Sequence, residues 1–430
     1  MEHIIKILSM LGESYSPFHV VDNLANELLE NGFEEIDEKT PFDLRKGKNY
    51  FVRRNDSSLI AFKIPSSPRL SFKVTAAHSD SPTFKIKPQP VEIFKNLIRL
   101  NIEPYGGMLM STWMDRPLSI AGRVMVKTEQ GIESRFLTIQ RDLLQIPSLC
   151  IHFDRNANEN SSFNPTKMLP ILGECKDGAF SFDAFLQEEL KTQDEILSHD
   201  LFLYNRDEPR LVGLNGEFVS SPRLDDLAST YSCLLGFIEG DCTDSIDVYC
   251  AFDNEEVGSL TRQGANSTFL RDVLRRVSSI LFEEKEGLEI GAANGFMMSV
   301  DNAHANHPNF PETSDATTDI RLNGGIVIKH NARQKYMTDA FSCSLVKEIA
   351  KIAEVPFGEY TNRSDMPGGS TLGNISNGEI SFAGADIGVA QLAMHSSNEF
   401  CGTHDLEAMA RFIKAYYSTP LHLEANAIRL

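Results

Sequence analysis

The segment Val248-Tyr-Cys-Ala-Phe-Asp-Asn-Glu-Glu-Val-Gly258 constrains the rest of the chain, because an apolar run with strand character stops abruptly in Asp253, Asn254, Glu255 and Glu256. Carboxylates are costly to bury unless a metal, hydrogen bonds or water compensate them. Acids gathered where a strand leaves the core are therefore candidates for chemistry, and open α/β sheets bind ligands at this carboxyl edge. Two other apolar runs end in the same way. Phe72-Lys-Val-Thr-Ala-Ala77 delivers His78, Ser79 and Asp80, and Phe296-Met-Met-Ser-Val300 delivers Asp301 followed by Asn302, His304 and His307. A fourth segment, Ser220-Ser-Pro-Arg-Leu-Asp225-Asp226, stops at a predicted helix start, and Gly388–Met394 ends in His395. Two imidazoles and three carboxylates suit a pair of divalent ions such as zinc, with one carboxylate shared and a position open for water.

The length of 430 residues exceeds one ordinary core, so two domains, or one α/β domain with an insertion, are expected. The net charge of −19 argues against nucleic acid and anionic membrane as partners, since both need concentrated Lys and Arg. Seven cysteines without a C-x-x-C pair read as reduced thiols. The start Met1-Glu2-His3 lacks the basic and apolar regions of a signal peptide, and no stretch approaches the roughly 18 apolar residues of a membrane span. A cytoplasmic protein is the expectation.

Helical spacing of Ile4, Ile5, Leu8 and Leu11, a second helix ended by Gly32, and strands at 50–53 and 58–64 give residues 1–87 an α/β character. Between about 88 and 210 the pattern changes to short strands at 91–94, 98–102, 118–126 and 136–139, with no long helix, an Asn-rich loop at 156–164 and a charged stretch at 187–199. This region reads as an inserted, mainly β domain. Alternation of strand and helix resumes at 211–430, with amphipathic helices at 267–282, 339–353 and 406–417, the last with Asp405 as its expected cap.

His78 and Asp80 have period-2 spacing, so both side chains point to one side of an extended chain and the acid can orient the imidazole of a metal-binding His. Of the adjacent Glu255 and Glu256, one can coordinate a cation while its neighbour takes a proton from water. His304 and His307 stay open as ligands, substrate contacts or structural groups. A nucleophile elbow, an H-E-x-x-H helix, a P-loop and a dinucleotide fingerprint are all missing, which leaves metal-assisted hydrolysis as the strongest class.

The order of these segments resembles the M18 family of aminopeptidases, the aspartyl aminopeptidase group. The matching stretches are Thr75-Ala-Ala-His-Ser-Asp-Ser-Pro82, Ile146-Pro-Ser-Leu-Cys-Ile-His152, Ser221-Pro-Arg-Leu-Asp-Asp226, Asp253–Gly258, Ser299–Pro308 and Gln391-Leu-Ala-Met-His395, which span almost the whole chain. The resemblance implies a three-layer α/β/α zinc-exopeptidase-like domain with an inserted β-rich dimerisation domain, assembling as a dimer and often as a dodecamer. It implies that His78, Asp225 and Asp301 bind one metal and that Asp225, Glu256 and His395 bind the second. Glu255 would be the general base and Asp80 would orient His78. By the same resemblance His152 would reach into a neighbouring subunit's cleft, and Lys329, in Gly324-Gly-Ile-Val-Ile-Lys329, would bind an acidic substrate side chain, although some members prefer neutral residues. Asp226 stands where many members have Asn.

The expected protein is thus a cytosolic two-zinc aminopeptidase acting on peptides. The competing readings are another metal-dependent amidohydrolase or deacylase and a catalytically idle assembly protein of the same family.

Overall fold

Side chains of the central strands alternate between two apolar cores, and this alternation makes the molecule layered. The computed structural model describes residues 2–157, 163–175 and 178–430, so part of the Asn-rich loop lies outside the described residues. Tyr249 and Ala251 face one core, while Val248, Cys250 and Phe252 face the other. Leu59 and Ala61 oppose Ile60 and Phe62 in the same manner on the next strand, because successive Cβ atoms of an extended chain point to opposite faces. Helices Glu2–Gly12, Pro17–Glu30, Leu224–Glu239, Ala340–Ile352 and Thr403–Ser418 bury their apolar stripes in the first core. Phe269–Leu281 and Gly287–Ala293 cover the second, completing the expected α/β/α layering.

Among the described residues this sheet has 13 strands, and its middle runs in the order Ser58–Lys63, Ile246–Phe252, Phe72–His78, Phe296–Val300 and Ala383–Leu392. The last four pair in parallel. Their C-terminal ends therefore share one edge, with Phe252 opposite His78 and Val300 opposite Ile387. The three acid-tipped runs of the sequence end side by side for this reason.

Among the described residues a second sheet has six strands, all antiparallel, in the order Gly131–Thr138, Leu118–Thr128, Glu195–Asn205, Thr83–Phe94, Leu97–Tyr105 and Ile171–Glu174. It opens at Thr83 rather than near 88. Its own apolar core includes Phe84, Ile120, Leu186 and Leu201. A short helix, Phe182–Leu190, follows these strands, and the charged stretch at 187–199, to which the sequence assigned no element, contains the start of Glu195–Asn205, which pairs with strands on both sides. The polar residues Ser198, His199 and Asp200 hid that strand, since a residue in a sheet need not be apolar when its side chain reaches the sheet surface.

Asp405 is not the cap of the last long helix. The Ncap position is Gly402, and Asp405 sits buried in the first turn, where its carboxylate accepts the backbone N–H groups of Asn323 (2.6 Å) and Gly325 (2.8 Å). A carboxylate near a helix N-terminus satisfies either its own helix or a neighbouring loop, and sequence spacing does not distinguish the two.

Gly388 controls how closely the strand end bearing Asp301 can lie against its neighbour. The Asp301 N–H donates to the Ile387 carbonyl at 3.0 Å, and a Cβ on residue 388 would stand 1.9 Å from the Asp301 carbonyl oxygen. Gly388→Ala is expected to destabilise the fold by about 1–3 kcal/mol or more through overpacking and to lower bound metal in parallel. Denaturant unfolding and metal analysis of one preparation check this, and an unchanged midpoint with full metal content would contradict it.

Candidate active site

His78 is the last residue of its strand, and its surroundings leave one ring nitrogen free. The backbone N–H donates to Asp226 Oδ2 at 3.2 Å, while Nδ1 lies 3.1 Å from the Asp80 carbonyl oxygen and 3.3 Å from Asp80 Oδ1. Acceptors on that side require the proton on Nδ1, so the Nε2 lone pair points the other way. There it faces Asp225 Oδ1 at 3.6 Å and Asp301 Oδ1 at 3.9 Å.

Asp225 and Asp226 lie where Leu224–Glu239 is not yet helical, and the peptide between them is cis. Asp225 turns Oδ1 toward His78 and Oδ2 toward His395 Nε2, at 3.2 Å. The same His395 nitrogen is 3.6 Å from Glu256 Oε1. Donor atoms of His78, Asp225, Asp226 and Asp301 form one cluster within 4.8 Å, and those of Asp225, Glu256 and His395 form another.

Asp80 serves two sides of the site. Its Oδ1 accepts the Glu255 N–H at 3.1 Å and its Oδ2 accepts the Glu256 N–H at 3.2 Å, which fixes the acidic turn after Phe252. Tyr105, from the second sheet, donates its hydroxyl to Asp80 Oδ2 at 2.8 Å and accepts from the Asn254 amide at 2.8 Å. Glu399 plays the matching role opposite, accepting the Asp225 N–H at 2.8 Å and the His395 N–H at 2.6 Å. Sequence reading missed both Tyr105 and Glu399. Glu399 lies four residues beyond His395, a proximity that carried a signal, whereas Tyr105 is placed only by tertiary packing.

The electrostatics call for cations. Burial pushes Glu255 up to about 8 and Glu399 up to about 8, and holds Glu256 and Asp226 well above the usual carboxylate range. Burial also works against charge on Asp225, yet without metal the facing His395 and His78 rings are held protonated by these acids, and their positive charge outweighs burial and lowers the Asp225 pKa. Asp225 Oδ1 is buried with no hydrogen-bond partner among the described residues. A buried acceptor left unpaired beside two imidazoles and several carboxylates fits a divalent metal, which such a set of nitrogen and oxygen donors would satisfy.

A cavity opens over this cluster, lined by His78, Asp225, Glu255, Glu256, Asp301 and His395 together with His304 and Lys329. Lys329 is only 2 % exposed, which rules out a solvated surface charge. Its Nζ donates to the Asn302 carbonyl at 3.0 Å and lies 3.8 Å from Asp301 Oδ2. His307 points into a neighbouring groove and its Nδ1 accepts the Asn309 N–H at 3.2 Å. His152 stands apart on an exposed turn of the second sheet and does not line the cavity of its own chain.

The chain is similar to known proteins over almost its whole length. Residues 10–417 match the family described as "Aminopeptidase I zinc metalloprotease (M18)". A probable M18 family aminopeptidase 2 of Clostridium acetobutylicum is 42 % identical over 429 residues, covering 97 % of this chain and 99 % of that protein. A chain in the cryo-EM structure of the Ape4 and Nbr1 complex superposes with TM-score 0.93 at 34 % identity, covering 97 % of this chain and 85 % of the other. A chain of the S. cerevisiae mApe1 dodecamer superposes with TM-score 0.85 at 25 % identity, covering 96 % of each.

The buried carboxyls predict how pH acts on metal-free protein. Unfolded Asp and Glu titrate near pH 4, whereas Glu255 and Glu399 are raised to about 8 and Asp253 to about 7, in each case chiefly by burial. A raised carboxyl binds its proton more tightly in the folded state, so its stabilising contribution is present at low pH and is lost as pH climbs through the folded value. Metal also competes with protons for these ligands. The Tm gap between metal-saturated and chelator-stripped protein is therefore expected to widen from about pH 5 to about pH 8. A scanning-calorimetry series giving a constant gap would contradict this account.

Proposed function

The chain belongs to the M18 family of zinc metallo-aminopeptidases and is a metal-dependent peptide hydrolase, and from this premise we propose that it works with two divalent ions, both zinc, sharing Asp225. The observation that carries the reading is the Asp225 carboxylate, whose two oxygens face two different imidazoles. His78 and Asp301 would complete one site, and Glu256 and His395 the other. When bound, the ions supply positive charge that acidifies water and polarises the scissile carbonyl.

Glu255, whose carboxylate also comes within 4.8 Å of donor atoms of His78 and Glu256, is kept out of these two donor sets and assigned the proton transfer. It takes a proton from the attacking water and returns it to the leaving amine, a division of labour supported by its place in the cavity and by the Asp80 hydrogen bond that holds its backbone. Asp80 thereby positions both His78 and the Glu255–Glu256 turn. Glu255→Gln is expected to retain both ions while losing about 10²–10⁴-fold in turnover, whereas Glu256→Ala loses metal as well. Equal metal loss from both variants would overturn the assignment. Hydrolysis of free but not N-acetylated peptides, abolished by chelator, separates an aminopeptidase from a deacylase or an idle assembly protein.

Lys329 is assigned to the side chain of the substrate's first residue. Its ammonium group lies at the cavity wall, 3.8 Å from Asp301 Oδ2, and a buried cation there supports a preference for Asp or Glu. Lys329→Ala is expected to lower kcat/KM for an N-terminal Glu peptide by at least about tenfold relative to a Leu peptide. Equal hydrolysis of Glu, Leu and Lys peptides by the unaltered enzyme would remove the idea.

The second sheet is assigned to pairing of subunits, with a dodecamer as the higher assembly, in line with the oligomer formed by the similar yeast protein. Leu149, Ile151 and Phe153 are 63 %, 48 % and 81 % exposed around His152, an apolar tip that contact with another chain would cover. His152 would then donate a hydrogen bond to the oxyanion formed in the partner's cleft, a contribution typically of about 10²–10³ in rate. Mixed oligomers of His152→Ala and Glu255→Gln subunits should regain activity through one intact composite site, and dead hybrids would refute the arrangement. The seven free thiols support a cytosolic location.

A further inference from the structure

A second set of metal-type donors lies on the far side of the sheet from the catalytic cavity, built from three segments that share no short motif. His330 ends the strand Ile326–His330, and Glu359 lies on its parallel neighbour Phe357–Thr361. Cys343 stands in the first turns of helix Ala340–Ile352, whose start is held by the Asp339 capping box. Ile328 packs in the core that contains this helix, whereas Val327 packs on the opposite side. By alternation His330 shares the Ile328 face and Lys329 points the other way, into the catalytic cavity. The two sites are separated by the sheet itself.

The three donors converge on one point. Cys343 Sγ is 3.7 Å from His330 Nε2 and 3.6 Å from Glu359 Oε2, and the last two atoms are 3.3 Å apart. Tetrahedral zinc bonds sulfur at about 2.3 Å and nitrogen or oxygen at about 2.0–2.2 Å, so its ligand atoms stand roughly 3.3–3.6 Å from each other. The observed triangle has that size without rearrangement. A thiol–imidazole–carboxylate triad is excluded, because thiol and carboxylate meet the same ring nitrogen instead of opposite ones. Lys347 binds the other Glu359 oxygen, Oε1, at 2.6 Å and keeps the carboxyl ionised and below its usual range, leaving Oε2 for the cluster. Burial raises the Cys343 thiol, which a soft divalent ion would deprotonate on binding. Glu359 and His330 have side chains 45 % and 27 % exposed, so an ion has an entry path and water can fill the fourth position.

The geometry points to a thiolate-containing site for a transition-metal dication such as zinc at His330, Cys343 and Glu359, distinct from the catalytic cluster. Cobalt(II) alone is the probe, because the donors of the catalytic cluster include no sulfur. Full-length protein loaded with cobalt should show a sulfur-to-metal charge-transfer absorption in the near ultraviolet. Cys343→Ser should lose that absorption together with one equivalent of cobalt per chain and keep the cobalt held by imidazoles and carboxylates. Cys150→Ser, which removes an exposed thiol elsewhere, should keep it. His330→Gln, at a partly exposed ring, should lose the same equivalent and gives the answer if Cys343→Ser fails to fold. Absence of the sulfur band at saturating cobalt, or its survival in both Cys343→Ser and His330→Gln, would overturn the site.

Discussion

The structure depends on a concentration of buried negative charge that the protein's own positive groups do not balance. Asp225 is almost wholly enclosed, and Asp301, Asp226, Glu255 and Glu256 crowd around it with two imidazoles and one lysine nearby. Such a group of carboxylates is unfavourable in a fold of this kind unless cations bind, so cation binding there would serve the stability of the chain as well as its chemistry. Even with protons in place of metal, burial keeps several of these groups out of their ordinary ionisation range.

That concentration is tolerated because the elements beneath it are rigid. Four parallel strands end at one edge, and their backbones are held by ladder bonds on both sides. Two buried acids then set the loops that leave the edge: Asp80 holds the Glu255–Glu256 turn and Glu399 holds Asp225 and His395. Through Tyr105 the second sheet joins this network, so the donor clusters are braced from a separate sheet.

Alternation along single strands partitions the chemistry. On Ile326–His330, Lys329 reaches the catalytic cavity while His330 meets Cys343 and Glu359 on the other face. One residue of displacement separates two environments because a pleated strand directs neighbours to opposite sides.

The apolar runs that end in acids are legible in the amino-acid sequence, since strand character, period and the cost of burying carboxylates are local properties of the chain. The layered fold and the convergence of His78, Glu255, Glu256 and Asp301 at one edge follow from them once the strands pair in parallel. The roles of Tyr105, Glu399 and Asp405, the strand hidden in the charged stretch at 187–199, and the cluster of His330, Cys343 and Glu359 are not legible there. Each depends on which distant segment lies opposite, and composition and periodicity describe a segment alone. By itself the sequence determined which residues could do chemistry and on which kind of element they sit. Only the tertiary structure decided which of them meet, because the distance between two side chains is set by sheet order and packing and is independent of their separation along the chain.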